Sequence, residues 1–278
     1  SISFAAAIPA ANGTQSVELE SAGDVNVAHN IVFDELDSKQ ALNIAKKVTV
    51  TIADTDADAK GALNIGDEAK VNAAGELNTN SVAVGKKAQL NVTTDLTTEG
   101  TVLLDEGAVA NANKYFSKAG TTTMEANSKL NVAADFDNSA DITIKGTAVA
   151  TLNGKSTNDG DIIVEGKGKL VSTSTFTNEK NGLVEVREVQ ITTIDDKARG
   201  IAKFKQLENQ AGAKVIAKAG VDLKGTYGAL ITVGNKQNTG ELKNAGEISI
   251  NGELDAEYAK TTNSGTITLE SNPYARIL

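Results

Sequence analysis

Apolar and polar residues alternate along this chain in short bursts. Leu63-Asn-Ile65, Val82-Ala-Val84, Ile142-Thr-Ile144 and Ile162-Ile-Val164 each place aliphatic side chains at i and i+2, the spacing that lines one face of a β-strand. A helix would need apolar positions at i, i+3 and i+4, and the bursts are rich in Val, Ile and Thr, which favour strands. The bursts also recur at a period of 20. Blocks that begin at Leu90, Ala110, Leu130, Ala150 and Leu170 stack an apolar column at their first position. A second column follows at Leu96, Phe116, Phe136, Ser156 and Phe176, and a small-residue column at Gly100, Gly120, Ala140 and Gly160. Alternating positions come next: Val102/Leu104, Thr122/Met124, Ile142/Ile144 and Ile162/Val164.

The unit therefore reads (Leu/Phe)-x-Asn-x-Gly-x-(Ile/Val)-x-(Ile/Val). It returns near the C-terminus in Leu242-Lys-Asn244-Ala-Gly246-Glu-Ile248-Ser-Ile250 and in Thr261-Thr-Asn263-Ser-Gly265-Thr-Ile267-Thr-Leu269. Gly and Asn before an alternating run read as a corner, since both tolerate φ > 0 and Asn also bonds to nearby backbone. One strand unit cannot bury its apolar side alone, so copies must stack. The expected fold is all-β: a single-stranded parallel β-helix solenoid with about 20 residues per turn, right-handed by the general preference of parallel crossovers.

Four segments follow from this reading: residues 1–60 as an N-terminal arm and solenoid cap, 61–186 as regular turns, 187–240 as irregular turns with an inserted loop, and 241–278 as C-terminal turns and tail. Within the first, a short helix is expected near Asp37 to Lys46. The apolar start, Ser1 to Ala11, has no basic segment before it and does not read as an intact signal peptide; it reads as a first strand or an ordered arm. Charge gathers over residues 187–206 and breaks the period, with Val189-Gln-Ile191 as a strand and Asp195 to Arg199 as a loop or helical turn. Asn138, Asn158 and Asn178 share one column, preceded by Thr98 and Lys118. Stacked Asn side chains can bond from coil to coil as an internal ladder.

Composition narrows the chemistry. The 278 residues hold no Cys, no Trp and one His, and aromatics make up 4%. No disulfide framework, thiolate metal site or cysteine nucleophile is available, and few rings are on hand for stacking sugars or bases. With 36 acidic and 27 basic residues the net charge is −9, which disfavours nucleic acid as a partner. Arginine occurs only at Arg187, Arg199 and Arg276, which reads as no guanidinium cluster. No apolar run reaches the roughly 20 residues of a membrane-spanning helix.

Three candidate chemistries arise from the sequence. Asp54-Thr-Asp56-Ala-Asp58 places carboxylates at alternate positions, as a calcium loop does for its first ligands. The match stops at Ala59, where such a loop needs Gly, and at Ile65, where it needs Glu, so an exposed acidic loop is the default and calcium the alternative. His29 has no second His and no Gly-x-Ser-x-Gly elbow to serve; it reads as a surface or structural residue. Asp105, Glu125, Lys145 and Glu165 form one column of mixed sign, as a solvated face would. A glycosidase pair of carboxylates in a cleft is conceivable on stacked turns, yet no cofactor and no catalytic residues are expected.

The repeated Leu/Phe-x-Asn-x-Gly-x-Ile-x-Ile unit resembles those of bacterial surface β-helices, the autotransporter passengers and filamentous-haemagglutinin-like adhesins. That resemblance implies a secreted or cell-surface structural protein acting as a stalk or binding surface, with surface glycans or proteins of host or neighbouring cells as partners, or self-association. The family's outer-membrane barrel is not visible in the C-terminal residues 271–278. The alternatives are a carbohydrate-active β-helix, whether a polysaccharide lyase, hydrolase or tail-spike-like depolymerase, and a self-assembling surface-layer or fibre subunit.

Overall fold

The computed structural model describes residues 2–4, 16–190, 197–218, 228–270 and 275–278. Every regular element among them is a β-strand. The strands stack in parallel as a β-solenoid of about twelve turns with roughly 20 residues each, as the repeat predicts. The chain divides into two compact units: an N-unit of Ser1–Met124 with Ser128–Ala133, and a C-unit of Glu125–Asn127 with Ala134–Leu278.

In the N-unit a coil carries three short strands, for example Leu42–Ile44, Thr49–Ile52 and the first half of Asp56–Ile65. Each pairs with its counterpart one coil on. Val50, Val71, Leu90, Ala110 and Leu130 form one such column at steps of 19 to 21 residues. Inward positions are aliphatic and buried, outward ones polar, so burial alternates along each strand. The core is accordingly made of small and branched side chains such as Val50, Leu63, Val71 and Ala110, and its stability rests on apolar burial together with the parallel ladder.

The helix expected near Asp37 to Lys46 is absent. Ile31–Ser38 and Leu42–Ile44 are strands there. Leu42 and Ile44 are both buried, and Leu42 pairs with Val25 on one side and Leu63 on the other. Neighbouring coils satisfy this backbone, leaving no call for i−4 bonds.

The apolar column through Leu96 also needs correction. Leu96 pairs with Tyr115, and Phe116 faces outward. The cause is a bulge: two residues separate Val92 from Asp95, but one separates their partners Ala112 and Lys114. A one-residue slip exchanges the two faces of a strand. Tyr115 is 1% exposed, and its hydroxyl shares hydrogen bonds with Thr98 Oγ1 and Thr122 Oγ1, both at 3.2 Å. By the same slip Ser117, not Lys118, follows Thr98 in its column.

Glycine in the corner column has a different reason from the expected left-handed backbone. Gly120 has φ +83°, but a Cβ on Gly160 would lie 2.2 Å from the Ala140 carbonyl oxygen, and on Gly265 2.1 Å from that of Gly246. Clearance from the neighbouring coil selects the residue there. Apart from Gly120, the left-handed corner residues lie outside this column and include Lys47, Glu68, Lys87 and Asn127.

In the C-unit the period stretches. Phe176 pairs with Leu207, 31 residues on, and Leu207 with Leu242, 35 on. Part of the extra chain over 187–206 is a hairpin: Glu188 to Gln190 pair antiparallel with Lys197 to Arg199. Ile191, Asp195 and the apolar segment 5–11 lie outside the described residues.

Candidate functional site

Asp54, Asp56 and Asp58 all reach one groove of the N-unit, of about 630 Å³, lined also by Glu18, Glu20, Glu35 and Asp37. The parallel register builds it by setting Glu18 beside Glu35, Glu20 beside Asp37, and Asp37 beside Asp58. Like charges on adjacent strands repel. Lys60 offsets some of this through a 2.6 Å contact with Asp58, and the hydrogen bond and charge of Asp58 raise the Lys60 pKa. Asp54 serves the backbone: its Oδ2 accepts from Leu36 N–H at 3.0 Å and its Oδ1 from Asp56 N–H at 3.1 Å. Among the described residues no three Asp, Glu or His side chains converge where they could hold a metal ion. His29 is exposed.

Two of the three arginines converge, contrary to the reading that they form no cluster. Arg199 Nη2 lies 2.6 Å from Glu253 Oε2, and Arg276 Nη2 lies 3.0 Å from Glu253 Oε1. Glu253 is 6% exposed. Burial pushes its carboxyl pKa up, but the hydrogen bonds and charges of the two guanidinium groups outweigh this and hold it below its ordinary value. Arg187 pairs with Glu185 and reaches Glu165 at 3.8 Å, while Lys218 is 3.5 Å from Glu185. Apart from Arg187 with Glu185 on one strand, these pairings join different strands, and neither residue type nor spacing announced them.

The internal asparagine column forms as expected and runs further. Asn138, Asn158, Asn178, Asn209, Asn244 and Asn263 bond amide to carbonyl in sequence, at 2.7 to 3.0 Å. Each Nδ2 in the series Asn138, Asn158 and Asn178 also donates to a corner carbonyl of its own coil, at Ala140, Gly160 and Gly182. Two further ladders, on outward positions of the N-unit, escaped the sequence reading. One joins Asn26, Asn43 and Asn64; the other joins Asn72, Asn91, Asn111 and Asn131. Their signal was an Asn flanked on both sides by apolar residues, as in Leu42-Asn-Ile44 and Leu90-Asn-Val92, since Asn is otherwise depleted from strands.

A second concavity, of about 420 Å³, belongs to the C-unit. One outward column, Val171, Lys203, Thr232 and Asp255, supplies its floor. Its wall is a corner loop. One residue, Lys205, separates Phe204 from Gln206, whereas seven, Gly234 to Gly240, separate their partners Val233 and Glu241. The surplus projects as a tight turn closed by Asn235 N–H to Asn238 O at 2.9 Å and Asn238 N–H to Asn235 O at 3.1 Å.

With this geometry in hand, comparison with protein-family models, with curated proteins and with solved structures finds no match.

Proposed function

We propose that the chain is a structural or adhesive β-solenoid, secreted or displayed at a cell surface, that acts as a stalk and binding surface without a catalytic centre. The observation that carries this reading is the internal asparagine ladder, which keeps six successive coils in register through turns of very unequal length. Such continuity suits a scaffold that holds surface features at fixed spacing. The C-unit cavity favours binding over hydrolysis: among the described residues its lining has one carboxylate, Asp255, where glycoside hydrolysis uses two. The partners we propose are surface glycans or proteins, or further copies of the chain.

Purified protein on beads, presented to cells and to immobilised polysaccharides, tests the reading. Retention on cells or glycans without new reducing or unsaturated ends supports it. Release of such ends from a polysaccharide at a steady rate overturns it in favour of the carbohydrate-active alternative. For Asp54, Asp56 and Asp58 we propose at most a loose calcium association through the charge of the groove. A calcium-induced rise in Tm larger than that from magnesium at equal ionic strength would instead establish a selective site.

A further inference from the structure

Beside Lys203 the C-unit has a pocket whose parts are independently fixed. Lys203 and Lys205 stand two residues apart on the strand Ile201–Asn209 and project to the same exposed face, about 7 Å apart along the strand. Phe204 between them turns inward, 3% exposed, with its ring centroid 5.0 Å from that of Phe176. This packing anchors the backbone that carries both ammonium groups. Among the described residues neither ammonium has an ion-pair or hydrogen-bond partner.

The opposite wall is equally constrained. Asn235 Oδ1 accepts from Gln237 N–H at 2.9 Å and from Asn238 N–H at 3.0 Å, which locks the turn. At its base Gly234 has φ +73°, and a Cβ there would meet Gly240 N at 2.5 Å, so two glycines close the loop neck. The pocket is thus formed before any ligand arrives, and a pre-formed wall lowers the ordering cost of binding.

We propose that this pocket binds a carboxylate-bearing sugar residue of a polysaccharide. Among the described residues, the two ammonium groups of Lys203 and Lys205 against one carboxylate, Asp255, leave the lining net positive on a protein of charge −9, which selects an anionic ligand. Thr232 and Asn238 add a hydroxyl and an amide that both donate and accept, as ring hydroxyls require. Phe204 is buried and offers no ring face, so recognition rests on charge and hydrogen bonds. The ligand class deepens the binding role proposed above and rests on it.

Titration of the full chain with tetragalacturonate, and separately with neutral maltotetraose, followed by amide NMR shifts, tests this. Tetragalacturonate should perturb Lys203 to Lys205, Thr232 and Asn235 to Thr239 with a Kd of about 1 mM. Lys203→Ala/Lys205→Ala should weaken binding about tenfold or more, and Lys203→Glu, which retains a polar surface side chain, should do so as well. Equal response to maltotetraose, shifts confined to other regions, no response, or undiminished binding by both variants overturns the proposal. Bead retention of the same variants separates the two claims. Adhesion that survives while sugar binding fails refutes this pocket alone; sugar binding without adhesion refutes the adhesive role and leaves the pocket standing.

Discussion

The N-unit and the C-unit close the same corner with different chemistry. In the N-unit the column runs Ser21, Ser38, Ala59, Thr79, Thr98 and Ser117, and hydroxyls of Ser21, Ser38 and Thr79 bond the carbonyl two residues ahead. In the C-unit asparagine takes that place. A hydroxyl has one hydrogen to give and serves its own corner, whereas a carboxamide has two donors and an acceptor. It can serve its corner and the next coil together. The N-unit has coils of nearly constant length and puts its coil-to-coil amide ladders on outward positions. In the C-unit, where partners lie 31 and 35 positions apart, the link is buried. Irregular turns leave register poorly specified by length, and a buried polar ladder that is satisfied in only one alignment restores it.

The largest expected effect tests that contrast. Asn178 is fully buried, and its Nδ2 lies within 3.0 Å of Gly182 O, Asn209 Oδ1 and Lys214 O; with two hydrogens, it must share one. Asn178→Ala strands these acceptors and should cost about 3 kcal/mol in urea unfolding. Thr79→Ala removes one corner bond and should cost about 1 kcal/mol. Equal costs would remove the distinction between the units.

Next comes Glu253→Gln, which leaves two guanidinium groups facing a neutral amide. Both arginine side chains are about a third exposed or more, so solvent screening reduces the loss to about 2 kcal/mol. Because the Glu253 pKa is held below its ordinary 4.5 in the folded state, its contribution is complete above the unfolded value. That contribution is lost as pH falls through the lower folded value. Acid titration of stability should therefore flatten in Glu253→Gln below about pH 4.5.

A smaller gain is expected at the left-handed corners. Lys87 has φ +57°, a conformation that costs an L residue about 1–2 kcal/mol. Lys87→Gly should stabilise by about 0.5 kcal/mol once the extra chain entropy of glycine is counted. Gly166→Lys, at φ +65° in the C-unit, should destabilise by about 1 kcal/mol. Smallest is the response to salt. Hydrogen exchange over residues 18–58 should slow as NaCl rises from about 0.01 to 0.5 M, because screening relieves the carboxylate columns. The C-unit segment 206–247, whose surface pairs include Lys243 with Glu208 and Lys214 with Glu247, should change in the opposite direction or not at all.

Architecture was legible because it is written by repetition: Ile142/Ile144 and Ile162/Val164 announce both a strand and its partner. What escaped depended on single-residue offsets or on distance. A 20-residue count puts Phe116 in the column of Leu96 because it cannot see the bulge at Thr93-Thr94. The helix near Asp37 to Lys46 was expected from local pattern, and pairing with coils on both sides overrode it. The site was less legible still. Asp54, Asp56 and Asp58 do share a groove, but Glu18 and Glu20 join them only through register. Arg199 and Arg276 meet on Glu253 although they lie 77 positions apart.

The matched columns on either side of a coil have an evolutionary consequence. Excising residues 139–158 would bring Asn138 directly against Asn178, with Phe136 over Phe176, and every inward side chain would still point inward. Losing one residue inside a strand would instead reverse its faces, while a seven-residue corner such as Gly234 to Gly240 is absorbed with pairing intact on both sides. Such a lineage can lengthen by copying whole coils and acquire new surfaces by extending corners, with little freedom in between.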